Sequence, residues 1–211
     1  TAVSVTTAHD EITASAVVVA VPAPPAATLV SGVDDGAARR LTGIPMASVA
    51  TVAFAFRCAD LAALPAFAGT GILLPSASGR TMKAAVFLSS KWRHLGGGDL
   101  ALVRVSAGRA RSDVADTLSD AELIAACRAD LAALTGMTAH PVDVRVRRWP
   151  QTMPQLEIGH LELVDDARSR LATAGPVVLA GASYDGVGVT SCVRSAEAAA
   201  ASVLDRLGID R

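Results

Sequence analysis

The sequence has 211 residues, long enough for one or two domains, and 51% of them are hydrophobic although only 3% are aromatic. Most of the apolar residues are Ala and Val, so the core must be built from small side chains. The formal net charge of −1 argues against nucleic acid as the main partner, because phosphate binding needs a basic excess or a basic face. The longest apolar runs, such as residues 16–21, are far shorter than the ~20 residues that a membrane-spanning helix requires.

The sequence lacks an initiator Met and a basic N-terminal stretch, so we expect no signal peptide and interpret the chain as a fragment of a longer protein. Its three cysteines, Cys58, Cys127 and Cys192, are widely spaced and odd in number. This pattern fits a reducing compartment and matches no zinc-binding motif, so no metal site is expected.

The N-terminal part predicts strands followed by short helices. Residues 2–7 alternate weakly, as in an edge strand, and residues 10–11 predict a turn. The apolar run at 14–21 predicts a strand that is buried on both faces. Prolines then break the sheet, and residues 26–30 and 36–43 predict short helices.

The middle of the chain is rich in predicted β structure. Residues 49–56, 81–88 and 100–107 predict three strands, which turn-forming stretches separate. Residues 119–136 predict an amphipathic helix that begins with a Ser-x-x-Glu capping box and ends at a glycine. Residues 142–149 alternate Val with charged side chains, as in a half-exposed strand.

The C-terminal part returns to α/β character. Residues 161–174 predict a helix, 176–180 a short buried strand, and 190–207 a long Ala-rich helix. Candidate domain boundaries lie near 43–45 and near 155–159. We therefore expect a mixed α/β chain in which two outer α/β pieces flank an antiparallel sheet with packed helices.

A glycine-rich turn joins the last predicted strand to the last predicted helix. A strand–turn–helix arrangement brings free backbone N–H groups and the positive end of a helix to one point, which can bind an anion or an electron-rich ring edge. Gly181, Gly186 and Gly188 allow close approach to a flat ligand, because they have no side chains. A tight packing turn without a ligand is the alternative interpretation.

The same turn carries a resemblance to a known family. The stretch LAGASYDGVGV at 179–189, followed by a Cys and by Arg194-Ser195, resembles the C-terminal flavin signature of the protoporphyrinogen and coproporphyrinogen oxidases, within the larger flavin amine oxidase group. Other stretches resemble the same family in the same order, and together they cover nearly the whole chain. These stretches are 14–30, 69–80, 87–92 and 147–162.

The resemblance implies FAD as the cofactor. It implies that residues 1–43 and 155–211 are the C-terminal pieces of the FAD-binding domain and that residues 44–154 form the substrate-binding domain. The turn is then expected beneath the isoalloxazine ring, with backbone contacts to its pyrimidine end. The implied flavin-binding residues are Gly181, Ala182, Tyr184, Val187, Gly188, Val189 and Trp149. For Trp149, packing in the core is the alternative.

The sequence departs from the family pattern at several places. Ala196 stands where Gly is usual, and Thr190 and Ser191 stand where Pro or Asn and then Asp are typical, although Ser191 can still cap the helix. The sequence contains no G-x-G-x-x-G motif, so the N-terminal half that holds the ADP end of FAD is expected to be missing. We expect that missing half as a partner, and weak or no FAD binding by this chain alone.

The implied activity is the FAD-dependent oxidation of coproporphyrinogen III or protoporphyrinogen IX to the porphyrin in haem biosynthesis, with oxygen as the electron acceptor. The sequence does not distinguish the two porphyrinogens. A substrate with several propionate groups needs an apolar slot with cations at its rim, so Lys91, Trp92 and Arg104 are the predicted substrate-binding residues. A solvated strand face is the alternative for the two cations, and core packing for Trp92. No catalytic side chain is predicted, and His160 is expected to be a hydrogen-bonded structural residue.

Two other functions remain open at this point. One is another flavin amine oxidase or a desaturase, although a single tyrosine argues against the paired aromatic cage of an amine oxidase. The other is a non-catalytic interaction domain, for which self-association through exposed apolar surface is expected. For the porphyrinogen oxidase we expect a cytoplasmic location and weak, peripheral association with a membrane.

Overall fold

The computed structural model describes residues 2–96 and 98–209. The strands within these ranges are β1 (Val3–Thr6), β2 (Glu11–Ala14), β3 (Val17–Val19), β4 (Met46–Arg57), β5 (Gly71–Leu73), β6 (Met82–Phe87), β7 (Leu100–Ala107), β8 (Asp143–Pro154) and β9 (Val177–Leu179). The α-helices are α1 (Ala23–Val30), α2 (Asp35–Thr42), α3 (Cys58–Leu61), α4 (Leu88–Lys91), α5 (Val114–Thr117), α6 (Asp120–Thr135), α7 (His160–Ala174), α8 (Ala182–Asp185) and α9 (Val189–Leu207). Short 3₁₀ helices cover Pro65–Ala68, Ser76–Ser78 and Arg93–Leu95.

Most of the expected elements are present, and β7 and α6 agree closely with their predicted bounds. Two expectations are wrong. Glu11 belongs to β2 rather than to a turn, because it pairs with Thr6 across the β1–β2 hairpin. The strand β3 is not buried on both faces, because Val18 at its centre is 43% exposed. In addition, β8 continues past the expected end at residue 149 to Pro154.

The chain divides into two compact units. The outer unit contains the residues up to Met46 together with those from Met153 onward, and the sheet unit contains Ala47–Thr152. The expected fold class, a mixed α/β chain with an antiparallel sheet and packed helices, is confirmed. The first unit ends at residue 46 where 43 was expected, and the second at 152 where 154 was expected. The assignment of the units to cofactor and substrate remains a prediction.

The outer unit is built around a short parallel pair of strands. β3 pairs with β9, so that Val17 lies opposite Val177 and Val19 opposite Leu179. Helices α1 and α2 pack on each other, and α2 packs on α7. The buried side chains of this core include Ala23, Ala26, Ala37, Leu41, Ala167 and Leu171. Because the alanine side chains are short, the helix backbones can approach closely, as the composition predicts.

The sheet unit is a five-stranded sheet in the order β5-β6-β7-β4-β8. β8 runs antiparallel to β4, since the Val142 N–H donates to the Ala55 carbonyl and the Gln155 N–H to the Pro45 carbonyl. Helix α6 covers one face of the sheet. The side chains buried there include Val52, Phe54, Phe56, Phe87, Val103, Val105, Leu123, Cys127 and Leu131.

An acidic side chain connects α6 to the sheet. Asp130 accepts hydrogen bonds from the backbone N–H of Met82 at 2.9 Å and from the guanidinium of Arg80 at 3.0 Å. The Asp130 side chain is 13% exposed, so the carboxylate is largely shielded from water. The N-terminus of the same helix has the predicted capping box between Ser119 and Glu122. Local and tertiary hydrogen bonds therefore both fix the position of α6.

The cysteines have different environments. All three are free, and Cys58 is exposed whereas Cys127 is buried beneath the sheet. Burial, together with the nearby Asp130 carboxylate, raises the pKa of the Cys127 thiol to about 12. Across the part of the chain that the structure describes, none of the helices combines the length and the apolar character needed to traverse a bilayer.

Replacing Asp130 by Ala is expected to destabilise the folded chain by about 1–3 kcal/mol, because the Met82 N–H loses its acceptor. Urea unfolding of the variant and of the unmodified chain measures the difference. Asp143→Ala is the control, since the ion pair of Asp143 with Arg145 is exposed and such pairs contribute roughly 0–1 kcal/mol. Equal losses for the two variants would contradict the role assigned to Asp130.

Candidate functional site

The candidate site lies where the carboxyl ends of β3 and β9 meet. Because the two strands are parallel, their carboxyl ends lie at the same edge, which is where open α/β folds bind ligands. The chain leaves β3 through Val21 and Pro22 into α1, and it leaves β9 through Gly181 into α8. Two turns that are far apart in sequence are thereby placed side by side.

Three glycines shape the turn that follows β9. Gly181, Gly186 and Gly188 have φ angles of 122°, 110° and 114°, and residues other than glycine rarely adopt such values. A Cβ atom added at Gly181 or Gly188 would meet no described atom of the chain within 4 Å. The backbone conformation, and not crowding within the chain, therefore explains why glycine occupies these positions. The same openness leaves the backbone accessible to a ligand.

The side chains of α8 point inward and anchor the turn. The hydroxyl of Ser183 accepts a hydrogen bond from the Ala23 N–H at 3.2 Å, at the start of α1. The hydroxyl of Tyr184 donates to the Val21 carbonyl at 3.0 Å, and Tyr184 is only 1% exposed. These contacts hold α8 against the β3–α1 turn and so join the two sides of the site edge.

A second set of contacts joins α8 to α7 and α9. Asp185 accepts a hydrogen bond from the Arg168 guanidinium at 2.7 Å and another from the Ser195 hydroxyl. The Ser195 oxygen in turn accepts the backbone N–H of Gly181 at 2.8 Å. Burial by itself would raise the pKa of Asp185, but the hydrogen bonds from Arg168 and Ser195, the Arg168 charge and the nearby His160 hold the pKa below its usual range. Asp185 is therefore a carboxylate near neutral pH.

The outward side of the turn is open and apolar. Val187 is 49% exposed and Val189 is 83% exposed. Helix α9 begins at Val189, and among the described residues no side chain caps its N-terminus. The first bond within this helix runs from the Cys192 N–H to the Gly188 carbonyl at 3.0 Å, so the preceding helical N–H groups have no acceptor inside the helix. Such a terminus carries partial positive charge.

This arrangement fits the pyrimidine end of a flavin. That end of the ring is rich in carbonyl and nitrogen acceptors, which match the unpaired N–H groups at the start of α9. The exposed Val187 and Val189 offer apolar contact to a flat ring, and the glycines add no side chain that would block it. The residues present are therefore suited to the group that the sequence pattern implies.

The structure places the predicted flavin-binding residues in different ways. Gly181, Ala182, Val187, Gly188 and Val189 lie together in the turn or at the start of the helix that follows it. Their role in flavin binding remains a prediction. For Tyr184, only the backbone is available to a ligand, because the ring is packed in the core of the outer unit.

Trp149 lies in β8, on the sheet unit, and is 45% exposed, with the Arg147 guanidinium 5.1 Å from its ring centre. Packing in the core, the alternative for Trp149, is therefore wrong, because the side chain is among the exposed hydrophobic residues. Trp92 is 48% exposed, so the corresponding alternative is wrong there too. Lys91 and Trp92 follow the end of β6, and the Lys91 ammonium lies 5.5 Å from the Trp92 ring centre.

Arg104 lies on the face of the sheet opposite α6. It is exposed, and its cross-strand partners are Ala53 on β4 and Val86 on β6. Two residues further along β7, Ser106 lies opposite Thr51 and Ala84. The exposed Arg104 side chain thus lies beside Ala53 and Val86, and the half-buried Thr51, Ala84 and Ser106 follow on the same face.

A cavity of about 570 Å³ lies at the end of the sheet where β4 and β6 finish and β7 begins. Its lining includes Phe67, Phe87, Leu64, Leu102 and Cys58, and none of the described residues that line it is charged. The serines just before Lys91 also line it, but the Ser89 and Ser90 hydroxyls already donate to backbone carbonyls. The cavity therefore suits a neutral apolar group better than a carboxylate.

Sequence reasoning missed the anchors of the turn. Ser183, Asp185 and Arg168 were not identified, and Ser195 was noted only as part of a motif. The signal available in the sequence was a carboxylate, Asp185, just before the glycines at 186 and 188 and a hydroxyl, Ser195, after them. His160, expected to be hydrogen-bonded, is 8% exposed, and its Nε2 atom has no hydrogen-bond partner among the described atoms.

Burial, partly offset by the Arg168 charge, raises the pKa of Tyr184 to about 12. Because the sequence has one tyrosine, the ultraviolet phenolate signal of the chain reports on this residue alone. In the folded chain the phenolate is expected to form near pH 12, against about pH 10 in denaturant. The corresponding stability is fully present below about pH 10 and is lost as the pH rises towards the folded pKa.

Circular dichroism at each pH shows whether the chain is still folded during this titration, and Tyr184→Phe supplies the baseline. Phenolate formation near pH 10 in a chain that is still folded would contradict the buried hydrogen bond to the Val21 carbonyl.

Comparison with known proteins gives a consistent result. The family model described as "Flavin containing amine oxidoreductase" matches residues 1–204. The coproporphyrinogen III oxidase of Mycobacterium tuberculosis is 39% identical over 194 residues, which are 92% of this chain and 41% of that protein. The coproporphyrinogen III oxidase of Bacillus subtilis is 31% identical over 140 residues, which are 66% of this chain and 30% of that protein.

Among solved structures, an Exiguobacterium protein to which protoporphyrinogen oxidase activity is ascribed superposes with a TM-score of 0.83 at 27% identity. The match covers 98% of this chain and 44% of that protein. This chain thus spans less than half the length of the curated relatives and of the solved structure. With the family match extending over nearly all of its residues, the chain belongs to the flavin-containing amine oxidoreductase family.

Proposed function

We propose that this chain is the flavin-facing and substrate-binding part of an FAD-dependent enzyme that oxidises coproporphyrinogen III to the porphyrin. The observation that carries the proposal is the glycine-rich turn, in which the α8 side chains are directed inward while Gly188 and the start of α9 stay open. The names of the Mycobacterium tuberculosis and Bacillus subtilis relatives favour coproporphyrinogen III over protoporphyrinogen IX.

In this proposal the outer unit contacts the flavin. Bound FAD supplies the redox chemistry, taking hydrogen from the macrocycle and passing electrons to oxygen. The N–H groups at the start of α9 donate to the electron-rich edge of the ring and favour negative charge there, because the helix terminus is partially positive. Val187 and Val189 contact the ring and exclude water from it. No side chain of this chain is assigned a proton transfer.

The sheet unit binds the porphyrinogen. A macrocycle with several propionates needs a flat surface and a cation, and the open face around Arg104 offers both. Small neighbours such as Ala53, Ala84 and Ser106 leave room for a broad ring. The cavity at the sheet end has no charged side chain among its described lining residues, so we assign the propionates to Arg104 and Lys91, with Trp92 in contact with the apolar part of the macrocycle.

The ADP end of FAD is assigned to a segment outside these 211 residues, because the sequence has no G-x-G-x-x-G motif. The isolated chain should then bind FAD weakly and self-associate, since apolar side chains such as Val18, Ile158 and Val189 are exposed. The free cysteines support a reducing compartment such as the cytoplasm. Weak peripheral contact with a membrane is part of the same proposal.

An amine oxidase is a weaker candidate. Its substrate cage would need an exposed aromatic pair next to the flavin. Tyr184 cannot be one member, because its ring is buried and its hydroxyl is bonded to the Val21 carbonyl. A non-catalytic domain is distinguished by flavin content, since it would bind none.

Gly188→Val in the complete gene product is expected to abolish flavin retention, because a β-branched side chain disfavours the φ of 114° and projects from the open side of the turn. Gly208→Val is the matched control: Gly208 ends the same helix, also has a positive φ of 66°, and lies away from the turn. Visible absorption of the purified proteins measures the flavin. Equal flavin content in the two variants would contradict the assignment of the turn.

Porphyrin fluorescence after addition of coproporphyrinogen III in air tests the reaction itself. Arg104→Gln is expected to raise the KM by about tenfold or more with a smaller change in kcat, because a charge-assisted hydrogen bond to a propionate is lost. Arg128→Gln, on α6 across the sheet, removes the same charge from the opposite side and should leave the KM unchanged. An unchanged KM in Arg104→Gln would remove Arg104 from the substrate site.

A further inference from the structure

The contacts behind the glycine-rich turn form a continuous chain of hydrogen bonds. The Arg168 guanidinium donates to Asp185, the Ser195 hydroxyl donates to the same carboxylate, and the Gly181 N–H donates to Ser195. Arg168 lies on α7, Asp185 on α8 and Ser195 on α9. Gly181 lies in the turn that follows β9. These bonds link the helices of the site directly to the strand edge.

Ser195 is the central member of this chain. Its one hydroxyl proton is donated to Asp185, so its oxygen is free to accept the Gly181 N–H. Because Asp185 takes the hydroxyl hydrogen, a lone pair of the Ser195 oxygen is left for the Gly181 N–H. The Asp185 carboxylate therefore fixes the direction in which Ser195 points, and Ser195 is only 4% exposed, so water cannot easily replace it.

Asp185 is held in its charged form by its neighbours. The Arg168 guanidinium lies 2.7 Å from the carboxylate, and the buried His160 is close enough to influence it. A charged acceptor makes the hydrogen bond from Ser195 stronger than a neutral acceptor would. Arg168 thus acts on the turn through its bond to Asp185, which in turn accepts the Ser195 hydroxyl.

The position of Gly181 decides where the rest of the turn lies. Gly181 has a φ of 122° and precedes α8 directly, so a rotation at this residue displaces Val187 to Val189 relative to the strand edge. Without the bond to Ser195, the glycine has several accessible conformations, because it lacks the restriction of a side chain. Fixing Gly181 therefore pre-organises the open N–H groups for one ligand position.

We propose that Asp185 and Ser195 are positioning residues for the flavin, and that with Arg168 they set the turn to which the pyrimidine end of the ring binds. The inference rests on the function proposed above. It assigns to these side chains a role in flavin affinity and in the electronic environment of the flavin, beyond the stability that any buried hydrogen bond provides.

The test uses the complete gene product with Ser195→Ala and Asp185→Asn, which remove the acceptor and the charge with little change in volume. FAD dissociation constants from reconstitution of the apoprotein, the flavin absorption spectrum and the flavin reduction potential are measured. We expect weaker FAD binding by about tenfold or more, the equivalent of one lost charge-assisted hydrogen bond, with a shifted spectrum and potential. Asp185→Glu, which keeps a carboxylate, should restore part of the affinity.

Matched controls separate positioning from stability. Ser202→Ala alters a serine on the same helix, and Asp166→Asn removes a carboxylate that also bonds arginine side chains, those of Arg40 and Arg170. Thermal midpoints of all variants are recorded. FAD affinity, spectrum and potential are expected to remain unchanged in both controls, even where the thermal midpoint falls as far as it does in Asp185→Asn.

Amide hydrogen exchange over residues 180–189 in the flavin-free protein gives a readout that does not depend on FAD. Faster exchange there in Ser195→Ala, together with weaker FAD binding, supports the proposal. Faster exchange with unchanged FAD affinity and potential overturns it and leaves the proposed function intact. A wild-type protein that binds no FAD overturns the proposed function, and the positioning role with it, while the exchange result still shows whether Ser195 holds the turn.

Discussion

The parallel pairing of β3 with β9 is the contact on which the rest of the outer unit depends. It joins Val17–Val19 to Val177–Leu179, two segments at opposite ends of the sequence, through strands of three residues each. A pair this short has little stability of its own. The surrounding contacts therefore matter: α7 and α9 pack beside it, and α8 bonds to the turn that leaves β3. Without the pairing, the glycine-rich turn would have no fixed partner.

The side chains of α8 bond to separate partners because the helix is short. A helix of four residues has too few side chains to form a stripe, and each side chain of Ser183, Tyr184 and Asp185 instead bonds to a different neighbouring element. The backbone of residues 186–189, which follows α8, can face a ligand. On the sheet unit, the side chains next to Arg104 on its face include the small Ala53 and Ser106. At both candidate binding surfaces, small residues matter as much as the side chains that would contact a ligand.

Sequence reasoning succeeded where the determinants are local. The capping box of α6 requires residues three positions apart, and the bounds of β7 follow from a run of β-formers between turns, so both were predictable. It failed where distant segments decide the outcome. The exposure of Val18 depends on which elements cover β3, and the inward direction of Tyr184 depends on Val21, more than 160 residues away in the chain. The Asp185–Ser195 bond spans a helix turn and a loop, so no periodic pattern reveals it.

The alanine-rich core of the outer unit also affects how the protein can change over evolution. Side chains such as Ala26, Ala37 and Ala167 are fully buried at 0% exposure, and each has only one methyl group to lose. Truncation therefore removes little packing, whereas any larger side chain must push apart helices that are already in close contact. At these buried positions, replacement of alanine by glycine costs less packing than replacement by a larger residue. A core of this kind constrains the spacing of its helices, and hence the geometry of the β3–β9 edge, more strictly than its own modest hydrophobic area would suggest.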